Sequence, residues 1–297
     1  MAPLTHCVSK GTMRRMTKTY VITGANSGLG FATTKALTDR GAHVIMAVRD
    51  GNKGREAQTR LTGGSSEVRV VDLADLASVR AFADGIERAD VLINNAGVMG
   101  LPRTLSAQGF ELQFAVNHLA HFALTGLLLD RIADRVVTVS STLHKRGRLD
   151  FDDLNAEHGY RHGTAYNQSK LANVVFGLEL QRRLRGSSLR SVLAHPGYAA
   201  TSLQAKTQPG LYRRALLLGN RFLAASAEEG ARPTVFAATD PAVTGGQFIG
   251  PGGLGEMRGA PRVVQPARKA TDPRVAERLW SVSERLTGVR YLSTTVG

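Results

Sequence analysis

The sequence predicts an α/β fold: a single doubly wound domain with a mostly parallel seven-stranded sheet and helices on both faces. Three observations predict it. Short, nearly all-apolar runs alternate with helix-length stretches, the order that builds parallel strands buried from both sides. A glycine-rich turn falls directly between the first such run and the first helical stretch. No repeat or Pro/Gly/Ser linker divides the 297 residues, and one large α/β domain fills that length.

The elements follow in order. TYVIT (19–23) reads as the first strand, with a helix to about Arg40. HVIMAV (43–48) is the second, ahead of a polar helix over 51–62. VRVVDL (68–73) is the third and precedes ADLASVRAFADGI. VLIN (91–94) is the fourth and precedes the long GFELQFAVNHLAHFALTGLLLDRI. RVVTVS (135–140) is the fifth, followed by a polar loop and the helix that holds AYNQSKLANVVF. RSVLAH (190–195) and GGQFIG (245–250) complete the seven. Right-handed crossovers fix the winding. Residues 199–226 break the rhythm, setting Leu211, Tyr212, Leu216, Leu217, Leu218 and Phe222 among arginines. That spacing fits an amphipathic lid over an apolar pocket and equally a short helix packed on the body. Residues 251–272, rich in Gly, Pro and Arg, are expected to wrap the surface. Residues 1–15 are expected to form a disordered tail before a domain spanning 16–297. The working protein is expected to begin near Met16, which the intact mass of the native protein decides.

The net charge of +14 invites comparison with nucleic-acid binders. The positive residues are scattered, however, as at Arg14 and Arg15, Arg182 and Arg183, Arg213 and Arg214, and Arg262 and Arg268. No basic–aromatic alternation accompanies them, so no nucleic-acid partner is expected. Cys7 is the single cysteine; no intrachain disulfide is possible, and the usage suits a reducing, cytoplasmic setting. No run reaches the ~18 uninterrupted apolar residues of a spanning helix. The richest, LTGLLLDRIADRVVTV, is broken by Asp130, Arg131, Asp134 and Arg135. Neither a transmembrane anchor nor a secretory signal is expected.

The glycine turn reads TGANSGLG, with Gly24, Gly28 and Gly30 around Asn26, Ser27 and Leu29. Between a strand and a helix, such a turn lets backbone approach a pyrophosphate, and the helix N-terminus adds N–H groups and positive partial charge. The second strand ends in MAVRD. Val48 stands where a ribose-binding acid would mark NAD, and Arg49 follows. A guanidinium pairs bidentately with a 2′-phosphate, so NADP(H) is expected over NAD(H); Asp50 is the competing group, able to reach a ribose hydroxyl instead. Asp72, at the end of the third strand, is a candidate for the adenine amino group, and Leu73 beside it joins the cofactor-binding candidates. Asn94, Asn95, Ala96 and Gly97 (NNAG) follow the fourth, at the carboxyl edge where open α/β sheets bind ligands.

TGANSGLG, NNAG, Asn117 in FAVNHLAHF, VVTVSS, the Tyr166-x-x-x-Lys170 pair and HPGYAAT occur in that order. Together they resemble the short-chain dehydrogenase/reductase family over about residues 18–250. VRD, NHLAHF, DFDDLN and SKLAN resemble its retinol dehydrogenase branch, close to the light-dependent protochlorophyllide reductases. The resemblance implies a Rossmann-type fold and a role for each matching residue. Tyr166 is the general acid/base, and Lys170 tunes it and holds the nicotinamide ribose. Ser141 polarises the substrate carbonyl; its choice over Ser140 rests on the resemblance. Asn117 holds a water in a relay with Lys170, and Pro196, Gly197 and Thr201 fix the carboxamide. Asn94, Ala96 and Gly97 complete the cofactor set. The gap from Ser141 to Tyr166 is longer than in the shortest members but resembles the retinol dehydrogenase branch.

Chemistry supports the pairing. Residues i and i+4 share a helix face. A free tyrosine, with pKa ~10, is a poor base at neutral pH. A lysine cation ~4 Å away, at an effective dielectric of ~20, is worth about the shift toward neutrality that acid–base work needs. The expected reaction is hydride transfer between NADP(H) and a carbonyl or alcohol carbon of a lipophilic small molecule. The alternatives are a double-bond (enone) reductase with the same residues and a non-catalytic NADP sensor. Homodimers or homotetramers through helices near 108–131 and 164–185 occur in many relatives. No metal is expected: His118 and His121 read as packing histidines, lacking further ligands.

Overall fold

The computed structural model describes residues 17–197 and 226–291. The expected tail, the start near Met16, all of the lid stretch but Ser226, and Thr201 lie outside them. The described elements are β1 (Thr19–Thr23), α1 (Gly28–Thr38), β2 (His43–Val48), α2 (Gly51–Gln58), β3 (Ser65–Val70), α3 (Leu76–Asp84) and β4 (Ala89–Asn94). A continuous helical run, α4, joins Leu112–Phe114, a π-helical stretch Ala115–Leu119, and Ala120–Leu128. Then come β5 (Ile132–Val139), α5 (His162–Arg183), β6 (Arg190–Ala194), α6 (Ala227–Thr239), β7 (Phe248–Pro251), β8 (Pro261–Val264) and α7 (Pro273–Thr287).

The strands form one sheet in the order β3-β2-β1-β4-β5-β6-β7-β8. All neighbours are parallel except β7 and β8, which are antiparallel. Alternate residues of each strand face opposite sides. Val21, Leu92 and Val136 join α3, α4 and α5 in one core layer. Tyr20, Ile22, Ile93 and Val137 join α1 and α6 in the other. The sheet order reverses between β1 and β4, where the connections leave for opposite faces, and ligands bind open α/β sheets beyond such a point.

The doubly wound architecture is as expected, but among the described residues the sheet has eight strands and not seven. Pro261–Val264 is a strand inside the expected surface wrap. With four residues and only Val264 buried, it carries too little alternation to be seen. β3 begins three residues before VRVVDL, with His43 opposite Ser65. It is a half-exposed edge strand whose first three residues are Ser65, Ser66 and Glu67, while Val71 and Leu73 turn into the core beyond its end.

By length and composition Leu112–Arg131 meets the measure of a membrane-spanning helix; 78% of that window is buried inside the domain. On its outer side Phe122 and Phe176 meet Trp280 of α7 at ring separations of 5.1 and 5.9 Å. The apolar faces of α4 and α5 are thus covered within the chain.

Candidate active site

The loops at the carboxyl ends of β1, β4, β5 and β6 converge on one crevice. The turn after β1 brings Gly24 (φ +67°) beneath the β4 loop, where an added Cβ would lie 3.2 Å from Ala96. At Gly30 an added Cβ would collide with the Gly24 carbonyl. These contacts press the loop flat. Ser27 precedes α1 in an extended conformation and makes no side-chain cap bond, so it leaves the first-turn N–H groups uncapped. Asn26 and Leu29 are half-buried in this turn and Ser27 is exposed. A flat glycine bed before an uncapped helix start fits a pyrophosphate.

At the second strand's end Arg49 is exposed and makes no hydrogen bond or ion pair among the described residues. Asp50 is engaged beside it through one carboxylate oxygen. Its carboxylate caps α2, accepting the Asn52 and Lys53 N–H groups at 3.0 and 3.2 Å, and these bonds hold its pKa below the ordinary value. Asp72 accepts the Ala74 N–H at 2.9 Å through Oδ1. Leu73 and Asn94 are turned inward: Leu73 belongs to the core, and Asn94 donates to Thr125 at 2.8 Å. Their backbones are what they offer a ligand.

The NNAG turn is locked by a residue that sequence reasoning missed. Thr23 Oγ1 accepts the N–H groups of Asn95 and Ala96, each at 2.9 Å. Its own proton goes to His121 Nε2 at 2.9 Å. His121 Nδ1 faces the Asn117 carbonyl at 3.0 Å and must therefore donate, leaving Nε2 to accept. Burial pushes His121 down to about 4, which keeps this tautomer neutral. The available signal was a polar residue ending an otherwise apolar strand. His118, also expected to pack, meets Phe114 and Phe122 and bonds Ser283 at 2.8 Å.

Asn117 sits at the centre of the π-helical stretch, where the Ala120 N–H reaches back five residues to Ala115. Its amide accepts the Val98 N–H at 2.8 Å and donates to the Val98 carbonyl and to Ser169 Oγ at 3.0 and 2.9 Å. Gly97 lies against it: an added Cβ would sit 3.3 Å from Asn117 Oδ1 and 3.4 Å from Lys170 Nζ. The expected partners Asn117 and Lys170 therefore meet at one point.

Tyr166 and Lys170 lie one turn apart on α5, 7% and 3% exposed. Ser141 lies beside the Tyr166 hydroxyl and works to lower its pKa. Ser140 points elsewhere, donating to the Lys170 carbonyl at 2.7 Å. The expected acidification of the phenol by Lys170 is opposed by burial. The ammonium stands 5.8 Å from the ring centroid and donates to the Val139 carbonyl at 3.2 Å. Burial dominates instead, lifting Tyr166 to about 12 against the effect of Ser141 and lowering Lys170 to about 8. Pro196 and Gly197 follow β6 on the same side of the sheet. Among the described residues no His/Cys/Asp/Glu cluster suits a metal.

The fold, the glycine bed and the Ser141–Tyr166–Lys170 constellation define a nicotinamide-type oxidoreductase architecture, and comparison with known proteins gives the family. The short chain dehydrogenase profile matches residues 18–211, and the chain belongs to that family. Within it the chain lies on the retinol dehydrogenase-like branch. It is 40% identical over 297 residues to retinol dehydrogenase 14 of Mus musculus, covering 92% of this chain and 86% of that one. It is 41% identical over 301 residues to retinol dehydrogenase 13 of Homo sapiens, covering 95% and 88%. Among solved structures, an uncharacterized protein from Mycobacterium Paratuberculosis superposes with TM-score 0.80 at 48% identity, covering 92% of this chain and 94% of that one. A Beutenbergia cavernae structure with NADP at low occupancy gives TM-score 0.62 at 30% identity, covering 78% and 93%.

Proposed function

We propose that the chain is an NADP(H)-preferring oxidoreductase acting on a carbonyl or alcohol carbon of a lipophilic small molecule, with Tyr166 as general acid/base. One observation carries the reading: Asn117 and Lys170 meet beside Gly97, and Tyr166 lies one helical turn from Lys170 with Ser141 beside its hydroxyl. Exposed Arg49 supports the preference for NADP(H), with Asp50 Oδ1 occupied by the α2 cap. Lipophilicity of the substrate is supported by the names of the retinol dehydrogenase relatives.

When bound, a nicotinamide cofactor would supply or accept the hydride and, in its oxidised form, carry a positive charge. The residues manage the proton. With its pKa at about 12, the Tyr166 hydroxyl is protonated at neutral pH and suits a donor in the reducing direction. Ser141 Oγ orients that hydroxyl and can donate to an oxygen gaining negative charge. Lys170, brought down to about 8, exchanges its Nζ proton within reach of neutrality and stands ready to restore the phenol. Asn117 holds the β4 loop against Lys170.

The test is NADPH consumption across a panel of aldehydes, ketones and enones. Turnover with aldehydes or ketones is expected; turnover confined to enones would assign the double-bond reductase instead. Tyr166→Phe should lower kcat about 10²–10⁴-fold with NADPH affinity nearly unchanged. A variant with wild-type turnover would remove Tyr166 from the chemistry.

A further inference from the structure

His195 is fully buried, yet neither the glycine bed nor the Ser141–Tyr166–Lys170 set uses it. It follows β6 and immediately precedes the Pro196–Gly197 turn. Its Nδ1 accepts the Gly197 N–H at 3.1 Å. An accepting nitrogen bears no proton, so the neutral ring carries its proton on Nε2. That nitrogen faces Glu256 Oε2 at 3.2 Å. Both atoms are buried and neither has an aligned partner. Only alignment separates them from a hydrogen bond, and leaving both unmade is costly.

Glu256 reaches in two directions. Its Oε1 pairs with Lys145 Nζ at 2.9 Å, on the short helical turn Thr142–Arg146 that Ser141 caps. One carboxylate therefore links the turn after Ser141 to the turn at Gly197. The backbone agrees. Glu256 holds φ +58°, a left-handed conformation rare outside glycine. Gly197 rests directly on this segment: an added Cβ would collide with the carbonyl oxygen of Met257 and lie 2.8 Å from that of Glu256. Gly250 leaves the space that the imidazole fills, since a Cβ there would collide with Nε2. The Phe248 ring, 5.1 Å from the imidazole centroid, braces it edge-on.

We propose that His195 and Glu256 are a positioning pair for the cofactor: they set the Pro196–Gly197 turn and, through Lys145, the turn after Ser141. The proposal rests on the reading of the crevice as an NADP(H) site, with the Gly197 turn at its nicotinamide end. Neither side chain is assigned contact with reacting atoms.

The experiment measures binding of NADPH and of 2′,5′-ADP, which lacks the nicotinamide half, to the full chain and three variants. His195→Phe removes both nitrogens. Glu256→Gln removes the charge that holds Lys145 while leaving the core untouched. His195→Asn keeps a side-chain acceptor for the N–H two residues on, as in an Asx turn. The first two should weaken NADPH about tenfold, the worth of one or two hydrogen bonds, with 2′,5′-ADP unchanged. His195→Asn should recover most of that loss. Equal weakening of both probes would reveal a purely structural role and overturn the proposal, as would no weakening of either. If the His195→Phe chain does not fold, Glu256→Gln decides alone by the same ratio. If the wild-type chain binds neither probe, it is the NADP(H) reading that fails, and the pair has nothing to position.

Discussion

Ser140 and Ser141 show how much one position matters. They are adjacent and chemically identical, but Ser140 is bonded to the Lys170 carbonyl while Ser141 meets the Tyr166 hydroxyl. Ser141→Ala should therefore cut kcat with little change in the urea midpoint. Ser140→Ala should do the reverse, costing about 0.5–1.5 kcal/mol for the one hydrogen bond lost, since the Lys170 carbonyl keeps its helical partner. Steady-state rates and unfolding curves on both variants check this, and equal behaviour would refute the division. Arg49 makes the companion case for the cofactor. Losing a charge-assisted contact worth about 1.5–3 kcal/mol, Arg49→Ala should lower the NADPH-over-NADH ratio of kcat/KM by about ten- to a hundredfold. An unmodified enzyme without preference would end that reading. The sequence made Tyr166 and Lys170 legible because i, i+4 spacing fixes a shared face. It could not show the balance between burial and charge at the phenol, which depends on how dry the pocket is and on the Val139 carbonyl that engages the ammonium.

At the scale of elements, the β1–β4 junction carries the crevice. Thr23 receives two N–H groups from the NNAG turn and gives its proton to His121 on α4. Thr23→Val keeps the shape and deletes the oxygen, stranding the Asn95 and Ala96 donors. A loss of about 1–3 kcal/mol per stranded donor is expected, measured by urea denaturation; a neutral substitution would show that other partners replace Thr23. Six of the expected strands were legible at or near their bounds because buried parallel strands are written as apolar runs. β3 and β8 lie at the edges, where half the residues face water and the apolar signal is diluted. The π-helical stretch at Asn117 was illegible for a different reason. Its widened turn is a matter of backbone register, and AVNHL has no Gly or Pro to announce it.

For the whole molecule, buried imidazoles set the acid limit. His118 is pushed to about 3, and His121 and His195 to about 4, each chiefly by burial, from an ordinary value of 6.5. Their folded values lie below their unfolded ones, so the unfolded chain binds the extra protons as pH falls. The stability they confer is whole above about 6.5 and drains away toward 4. At pH 5 each histidine should cost about 2 kcal/mol relative to neutrality. Urea midpoints at pH 7, 6 and 5 test this, and a flat profile would mean that the rings accept protons inside the fold. The carboxylates held low, such as Asp134 beside Lys18 and Arg190 and Glu179 beside Arg182 and Arg183, lose their contribution in the same direction but at lower pH.

The antiparallel last strand has a consequence for crowding. β8 opens with Pro261 and Arg262, and the opposite margin of the sheet, β3, carries Glu67 and Arg69. A proline offers no donor, and fixed charges resist desolvation, so neither rim is a good template for a stranger's extended chain. The molecule shields its hydrogen-bonding borders, and a chain at high concentration is thereby guarded against growing end to end into fibres.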